Sequence, residues 1–156
     1  VLALRLPHVM GEPPVGHVQV TEIGAHQLPV WQELAAQGWS RMARHRRRAS
    51  DAWASAASRV DGEVFFIARD ADDSRPLGCA SLTTRARPAA HGRVSTLPAA
   101  RSRGVPPAFI RERIAVAVAR GCTLATTTVA PDGAAERRLI RLGFSPIYEN
   151  VILQAE

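Results

Sequence analysis

The stretch Leu97–Ile110 constrains the fold of this chain more than any other. It follows a β-branched run, turns through Arg101–Gly104 and enters a helix at Pro106–Pro107. Proline suits the first turn of a helix, because its fixed φ is already helical and its missing N–H would be unpaired there anyway. A turn between a strand and a helix gathers backbone N–H groups and the positive end of the helix dipole, and arginines add charge there. The sequence therefore predicts an anion-binding site at this turn.

The helix after the turn is predicted to start near Pro106 and to end at Arg120, because Gly121 is a typical residue to follow a helix. Apolar residues at positions i, i+4, i+7 and i+8 predict one buried stripe, with the charged residues between them facing water. The predicted stripe is Ile110, Ile114, Ala117 and Val118, and the predicted outward residues are Arg111, Glu112 and Arg113.

The turn also resembles a known signature. Read as Arg101-x-x-Gly104-x-Pro106, it is similar to the Q/R-x-x-G-x-G/A signature of the GNAT acetyltransferases, which cradles the pyrophosphate of coenzyme A. The order of elements around the turn is similar to that family over Val18–Leu153. The resemblance implies an α/β fold of GNAT type, in which a mixed, mostly antiparallel central sheet is flanked by helices.

Apolar runs, alternating or continuous, predict the strands of that sheet. The predicted strands are Val18–Ile23, Val64–Ala68, Leu77–Thr84, Arg93–Leu97, Thr123–Val129 and Phe144–Leu153, the last range forming one strand or a strand pair, with Arg85–His91 as a loop. The strands on either side of the central helix are predicted to be parallel, because a helical crossover joins them. Helices are predicted over Leu28–Gln37 and Trp39–Ser58, and from Asp132, as N-cap, to Leu142.

The resemblance implies an activity, the transfer of an acetyl group from acetyl-CoA to a primary amine by direct attack, without a covalent enzyme intermediate. It further implies that the N–H of Leu97 faces the developing oxyanion. The implied coenzyme-binding residues are Thr96, Leu97, Arg101, Ser102, Arg103, Gly104, Val105, Ala108 and Asp132.

Candidates for acid and base are few. The usual acid of the family is a tyrosine four residues before a Gly-Phe pair, a position held here by Leu139. Tyr148 is the only tyrosine of the chain, so it is either the acid or a half-buried strand aromatic. The candidate bases are His91, whose imidazole titrates near neutrality, and Glu33. A lone histidine in a loop is otherwise a solvent-exposed residue.

The chain departs from the signature at Pro106, which stands where the family has glycine or alanine and is followed by Pro107. Neither residue has an N–H to give to a phosphate. The alternative prediction is therefore a non-catalytic GNAT-like module that acts by binding coenzyme or protein.

The length of 156 residues predicts one main domain, over residues 17–156, preceded in residues 1–16 by a short strand and a linker rich in proline and glycine. That strand is interpreted as the remnant of a preceding GNAT domain, since some family members carry two in tandem. The predicted partners are a small-molecule or protein amine, and either a second copy of the chain or such a preceding domain. No apolar run is long enough to cross a bilayer, and the chain is predicted to be cytoplasmic.

The net charge of +6 suits an acidic ligand such as coenzyme A. Arg41–Arg48 forms a basic cluster, interpreted as a solvated helix face in preference to a nucleic-acid site, with an acidic acceptor as a third reading. Cys79 and Cys122 are predicted to be buried free thiols, and the histidines show no metal-binding spacing.

Overall fold

The structure is a computed structural model that describes residues 1–8, 17–38, 44–85 and 87–150. The strands are β1 (Leu2–Arg5), β2 (Val18–Ile23), β3 (Glu63–Asp70), β4 (Pro76–Thr83), β5 (Pro88–Thr96), β6 (Leu124–Thr127) and β7 (Ser145–Pro146). The helices are α1 (Leu28–Gly38), α2 (Arg44–Ala57), α3 (Val105–Ala119) and α4 (Ala134–Arg141).

The seven strands form one sheet in the order β2-β3-β4-β5-β6-β1-β7. Every neighbouring pair is antiparallel except β5 and β6, which are parallel and joined through α3. The predicted mixed, mostly antiparallel sheet is therefore confirmed, and so is the parallel crossover.

Helices α1 and α2 pack on one face of the sheet, and α3 and α4 pack on the other. Alternate side chains of β3 point to the two faces. Phe65 and Ile67 lie in one core cluster with Trp31 of α1, whereas Phe66 lies in the other with Phe109 of α3. This is why the run in β3 is apolar without alternation, as a strand covered on both faces requires.

Strand β1 lies inside the sheet, between β6 and β7. Leu2 stands opposite Thr127 on one side and Pro146 on the other. Leu2, Leu4 and Leu6 belong to the core cluster that α3 covers. The proposed boundary after residue 16 and the origin of this strand in a preceding domain stay predictions; most of the proposed linker lies outside the described residues.

Helix α3 begins at Val105, and both prolines stand in its first turn. Ile110, Ile114 and Ala117 are buried as predicted. Two predictions for this helix are wrong, because Val118 is 40% exposed and Arg113 is only 4% exposed.

The buried side chain of Arg113 has backbone acceptors on two elements. Its Nε donates to Phe109 O at 3.2 Å and its Nη1 donates to Ser81 O at 3.3 Å. Burial lowers the pKa of Arg113 to about 10. Because these hydrogen bonds satisfy its guanidinium, Arg113 is buried at a position for which the pattern of apolar residues in α3 predicts exposure to solvent.

Strand β5 begins at Pro88, so the prediction of a loop over Arg85–His91 is wrong for the second half of that range. Proline is tolerated as the first residue of a strand, where its missing N–H is not needed. The last strand is much shorter than predicted, two residues against Phe144–Leu153, of which residues 151–153 lie outside the described ones. Within the described ranges, no helix has both the length and the apolar character required to traverse a membrane.

Candidate active site

Strands β5 and β6 separate part-way along the sheet and leave a gap. They pair from Pro88 opposite Leu124 to His91 opposite Thr127. β6 ends there, whereas β5 continues to Thr96. Residues 92–96 therefore present an edge to which β6 gives no partner.

A β-bulge marks the point where the gap opens. Leu82 pairs with His91 and Ala80 pairs with Val94, so β5 has two residues opposite Ser81. One of these is Gly92, where a Cβ would lie 2.3 Å from Ser81 Oγ. A side chain at this position would require the Ser81 hydroxyl to move, whereas the nearest backbone atom of Ser81 lies at ordinary contact distance.

The turn between β5 and α3 presents N–H groups toward one point. Gly104 caps α3 with φ of 81°, and Ser102 also has a positive φ of 64°. A left-handed residue followed by a helical one turns successive N–H groups the same way and forms an anion-binding nest. Among the described residues, no acceptor pairs with the N–H groups of Ser102, Gly104 and Val105.

A pocket of about 430 Å³ lies in front of this nest. Its lining residues are Thr96, Arg101, Ser102, Gly104, Pro106, Pro107 and Arg138. Four of the predicted coenzyme-binding residues thus lie together, as the turn motif implies. Arg138 of α4 is not among the residues predicted from the sequence. A signal for it exists, because it is a basic residue in the last turn of a helix that begins shortly after β6.

Three of the predicted coenzyme-binding residues are engaged elsewhere. Arg103 Nη2 pairs with Asp70 Oδ2 at 2.5 Å, so its charge anchors the turn to the end of β3. The N–H of Leu97 donates to Leu77 O in β4 at 2.9 Å, so the prediction that it faces an oxyanion is wrong. The N–H of Ala108 donates to Gly104 O at 3.1 Å as the first bond of α3.

The carboxylate of Asp70 is suited to hold this anchor. It accepts a hydrogen bond from the N–H of Asp72 at 3.2 Å, which together with the Arg103 guanidinium keeps the pKa of Asp70 below its ordinary value. The anchored turn keeps the nest at a fixed position relative to β3.

Asp132 is not the N-cap of α4, since Gly133 takes that place. Asp132 has a positive φ of 58°, and its N–H donates to Glu136 Oε2 at 2.6 Å. Its carboxylate is exposed and is not among the residues that line the pocket.

A second pocket, of about 520 Å³, lies beside the end of β5. Its lining residues are Pro29, Val30, Glu33, Leu34, Gln37, Arg75, Pro76 and Leu97. The exposed carboxylate of Glu33 accepts a hydrogen bond from Gln37 Nε2 at 3.0 Å. Thr96 lines the first pocket and Leu97 the second, so the two pockets are bordered by adjacent residues of the chain.

Tyr148 follows β7, and its side chain is 57% exposed. The N-terminal amine of Val1 donates to Tyr148 O at 2.6 Å, and Leu2 stands opposite Thr127. Tyr148 therefore lies at the end of the sheet where β6 stops and the gap opens. Its role as an acid stays a prediction.

His91 does not lie in an exposed loop. It is 6% exposed within β5, and its ring faces Phe144 at a centroid distance of 5.8 Å. Among the described residues, neither ring nitrogen has a hydrogen-bond partner. Burial, and to a lesser extent the charge of Arg113, hold the pKa of His91 well below 6.5. A neutral imidazole sealed in the core cannot serve as base for a substrate in the gap.

We expect the substitution His91→Leu to remove part of the acid sensitivity of the fold. Because the pKa of His91 is lower in the folded state, only the unfolded chain takes up this proton below pH 6.5, and stability is lost as the pH falls. The free energy of unfolding of the natural chain should drop by up to about 1.4 kcal/mol per pH unit more than that of the variant. Urea unfolding between pH 8 and pH 5 measures the difference, and parallel pH profiles would contradict it.

Comparison with known families decides what kind of domain this is. A family model described as the acetyltransferase (GNAT) family matches residues 28–144, which include both pockets, the turn and the gap. The chain belongs to the GNAT acetyltransferase family. A comparison with curated protein sequences finds no match.

Solved structures of GNAT type share the fold at low sequence identity. One is AAC(6')-Iy in complex with a bisubstrate analogue of coenzyme A and acetylneamine, with a TM-score of 0.70 and 18% identity over 90% of this chain and 99% of that one. A second is the aminoglycoside 6'-N-acetyltransferase AAC(6')-Ih from Acinetobacter baumannii, with a TM-score of 0.63 and 15% identity over 89% of this chain and 98% of that one.

A third similar structure is described as a transcriptional regulator from Bacillus halodurans. Its TM-score is 0.69, with 20% identity over 89% of this chain and 100% of that one. Proteins with such different descriptions share this GNAT fold, so the likeness establishes the architecture and says nothing about the acceptor. Among the described residues of this chain, no group of three or more His, Cys, Asp or Glu side chains is arranged to hold a metal ion.

Proposed function

We propose that this GNAT domain is an N-acetyltransferase that transfers the acetyl group of acetyl-CoA to a primary amine. The observation that carries the proposal is the pocket at the start of α3, which is lined by Arg101, Arg138 and two residues, Ser102 and Gly104, whose N–H groups have no acceptor among the described residues. A diphosphate fits this set, because nests and helix N-termini bind anions and guanidinium groups pair with phosphate oxygens. The similar AAC(6')-Iy structure, which carries a coenzyme A conjugate, supports the same ligand class.

Acetyl-CoA supplies an activated thioester. The amine nitrogen attacks the carbonyl carbon, a C–N bond forms, the C–S bond breaks, and its electron pair leaves on sulfur while the amine gives up its proton. We propose Glu33, which lines the second pocket, as the base that receives this proton through water, and Tyr148 as an acid for the sulfur. A thiol with a pKa of about 8.5 is a tolerable leaving group near neutral pH, so transfer does not depend on Tyr148.

Binding and transfer are tested separately. A thermal-shift titration with acetyl-CoA should raise the stability by about 2.7 kcal/mol at a hundred times the dissociation constant. Release of free thiol in the presence of a panel of amines then reports transfer. No shift at millimolar ligand would remove the basis of the proposal.

A second candidate function is a non-catalytic module, favoured by three residues. Pro106 and Pro107 withhold two N–H groups from the pocket, and Leu139, where the family acid would stand, is buried in the core. Such a module shows a weak thermal shift or none with coenzyme A, and no release of thiol with any amine.

We expect Gly104→Ala to weaken coenzyme A binding by about tenfold or more, because relief of the left-handed strain turns away an N–H that bonds a phosphate. Gly121→Ala is a matched control, since its φ of 75° is also positive and a Cβ at either glycine meets no atom within 4 Å. Both variants should lose roughly 1–2 kcal/mol of stability, and only Gly104→Ala should lose affinity in calorimetric titration. Equal affinity of the two variants would show that the nest does not hold the coenzyme.

A further inference from the structure

An arginine–tryptophan pair lies on the α1–α2 side of the gap. Arg93 Cζ lies 4.5 Å from the centroid of the Trp53 ring in α2. Arg93 belongs to the bulge of β5, at the start of the edge that β6 leaves open. Two residues further on, Ser95 Oγ donates to Leu34 O of α1 at 3.2 Å, so this face of β5 is the one that the two helices cover. The pair therefore belongs to the side of the gap that lies opposite the diphosphate pocket on α3.

The contact with Trp53 holds the Arg93 guanidinium on this side of the gap, because a cation over the face of an indole ring is attracted to it. A guanidinium carries five donors, so it can bind a carboxylate side-on with two parallel hydrogen bonds in addition to its other contacts. The aromatic support reduces the freedom that the side chain loses when such a ligand binds.

The second pocket has no excess of acidic side chains that would offset the positive charge of Arg93. Of the residues that line the second pocket, Glu33 is the only acid and Arg75 the only base, so their charges balance. An amine with several positive charges, such as an aminoglycoside, would be repelled by Arg93. An anionic group on the acceptor would be attracted by it.

We propose that the acceptor is an amine that also carries a carboxylate, and that the Arg93 guanidinium, which lies over the Trp53 ring beside the gap, binds this carboxylate. The inference rests on the proposed N-acetyltransferase function and names the substrate class of the same site. It assigns Arg93 and Trp53 to acceptor recognition. It also separates this chain from the aminoglycoside acetyltransferases that share its fold.

Pairs of amines that differ only by a carboxylate test the inference, for example L-leucine against 3-methylbutylamine and L-phenylalanine against phenethylamine, with neamine as a polycation. The carboxylate member of each pair should have a kcat/KM roughly tenfold to a hundredfold higher, as a charge-assisted hydrogen bond predicts. Arg93→Gln should abolish this preference through KM, and Arg93→Lys should keep part of it. Arg59→Gln, which removes an exposed arginine after the end of α2, controls for the loss of one charge. A preference for the plain amines or for neamine would overturn the inference and leave the acetyltransferase proposal standing.

A binding measurement keeps the two proposals distinguishable. The thermal shift given by each amine is measured with coenzyme A present, for the natural chain and for Arg93→Gln. If no amine is acetylated, the proposed function fails, and larger shifts with the carboxylate members that vanish in Arg93→Gln still support the anion site. Equal shifts within each pair overturn it. The shift with coenzyme A alone should be the same for both proteins, which shows that Arg93→Gln is folded and that its diphosphate pocket is intact.

Discussion

Replacing Arg101 and Arg138 together by glutamine is expected to weaken coenzyme A binding by roughly two to four decades, because each charge-assisted hydrogen bond contributes about 1.5–3 kcal/mol. The two guanidinium groups reach the pocket from different elements, one from the turn before α3 and one from α4. Their joint loss leaves the N–H groups of the nest as the remaining donors. Calorimetric titration with coenzyme A at fixed ionic strength measures the effect.

A control with the same change in net charge is Arg59→Gln combined with Arg141→Gln, since both residues are exposed and neither lines the pocket. The control variant should bind coenzyme A within a few-fold of the natural chain, because exposed charges at a distance are screened by salt. Similar losses in both double variants would mean that the overall potential of the domain, and not this pocket, holds the coenzyme.

The substitution Leu4→Ala is expected to destabilise the domain by about 2–5 kcal/mol, the cost of removing a buried leucine and leaving a cavity. Leu4 is 4% exposed and lies in the core cluster that α3 covers, although it is far from α3 in the sequence. The measurement is the free energy of unfolding in urea.

The adjacent residue provides the comparison. Arg5 is in the same strand and is exposed, so Arg5→Ala should change the free energy of unfolding by no more than about 0.5 kcal/mol. If Leu4→Ala also stayed within that limit, β1 would not be part of the sheet in solution. The interpretation of residues 1–6 as the remnant of a preceding domain would gain support from that outcome.

The parts of the fold that the sequence predicts well are those with local causes. The start of α3 follows from Pro106 and Pro107, and its end follows from Gly121, whose φ of 75° most residues would avoid. The buried run of β3 follows from five consecutive apolar residues. The anion-binding turn follows from Gly104 and its neighbours, and the family resemblance stated on those residues is confirmed.

Other features depend on partners that are distant in sequence. Arg113 is buried because Ser81 offers a carbonyl from another strand, and no periodicity within α3 encodes that acceptor. The sequence predicts that Arg103 binds the coenzyme, but in the structure its guanidinium pairs with Asp70, which is distant in sequence. Arg138 joins the site only because α4 packs on the same face of the sheet as α3. The sequence therefore predicts a candidate site at the turn, whereas the presence of a second arginine beside it depends on the tertiary structure.

The predictions for His91 and for the N–H of Leu97 fail for the same reason, because each depends on residues that are distant in sequence. The sequence makes His91 a candidate base because it places the residue before the strand that leads to the turn, yet that strand begins at Pro88 and carries the histidine into the core. The family resemblance makes the Leu97 N–H a candidate oxyanion donor, yet this N–H pairs with Leu77 O of β4. The first error comes from a strand boundary and the second from strand pairing, and both depend on neighbouring strands as well as on the local sequence.

The position of β1 has a consequence for synthesis of the protein in the cell. Its partner β6 follows about 120 residues later, which at roughly 5–20 residues per second is on the order of ten seconds of translation. During that time Leu2, Leu4 and Leu6 have left the ribosome without the strands that shield them. The nascent chain therefore carries an aggregation-prone segment that holding chaperones can bind, and slower translation prolongs that exposure.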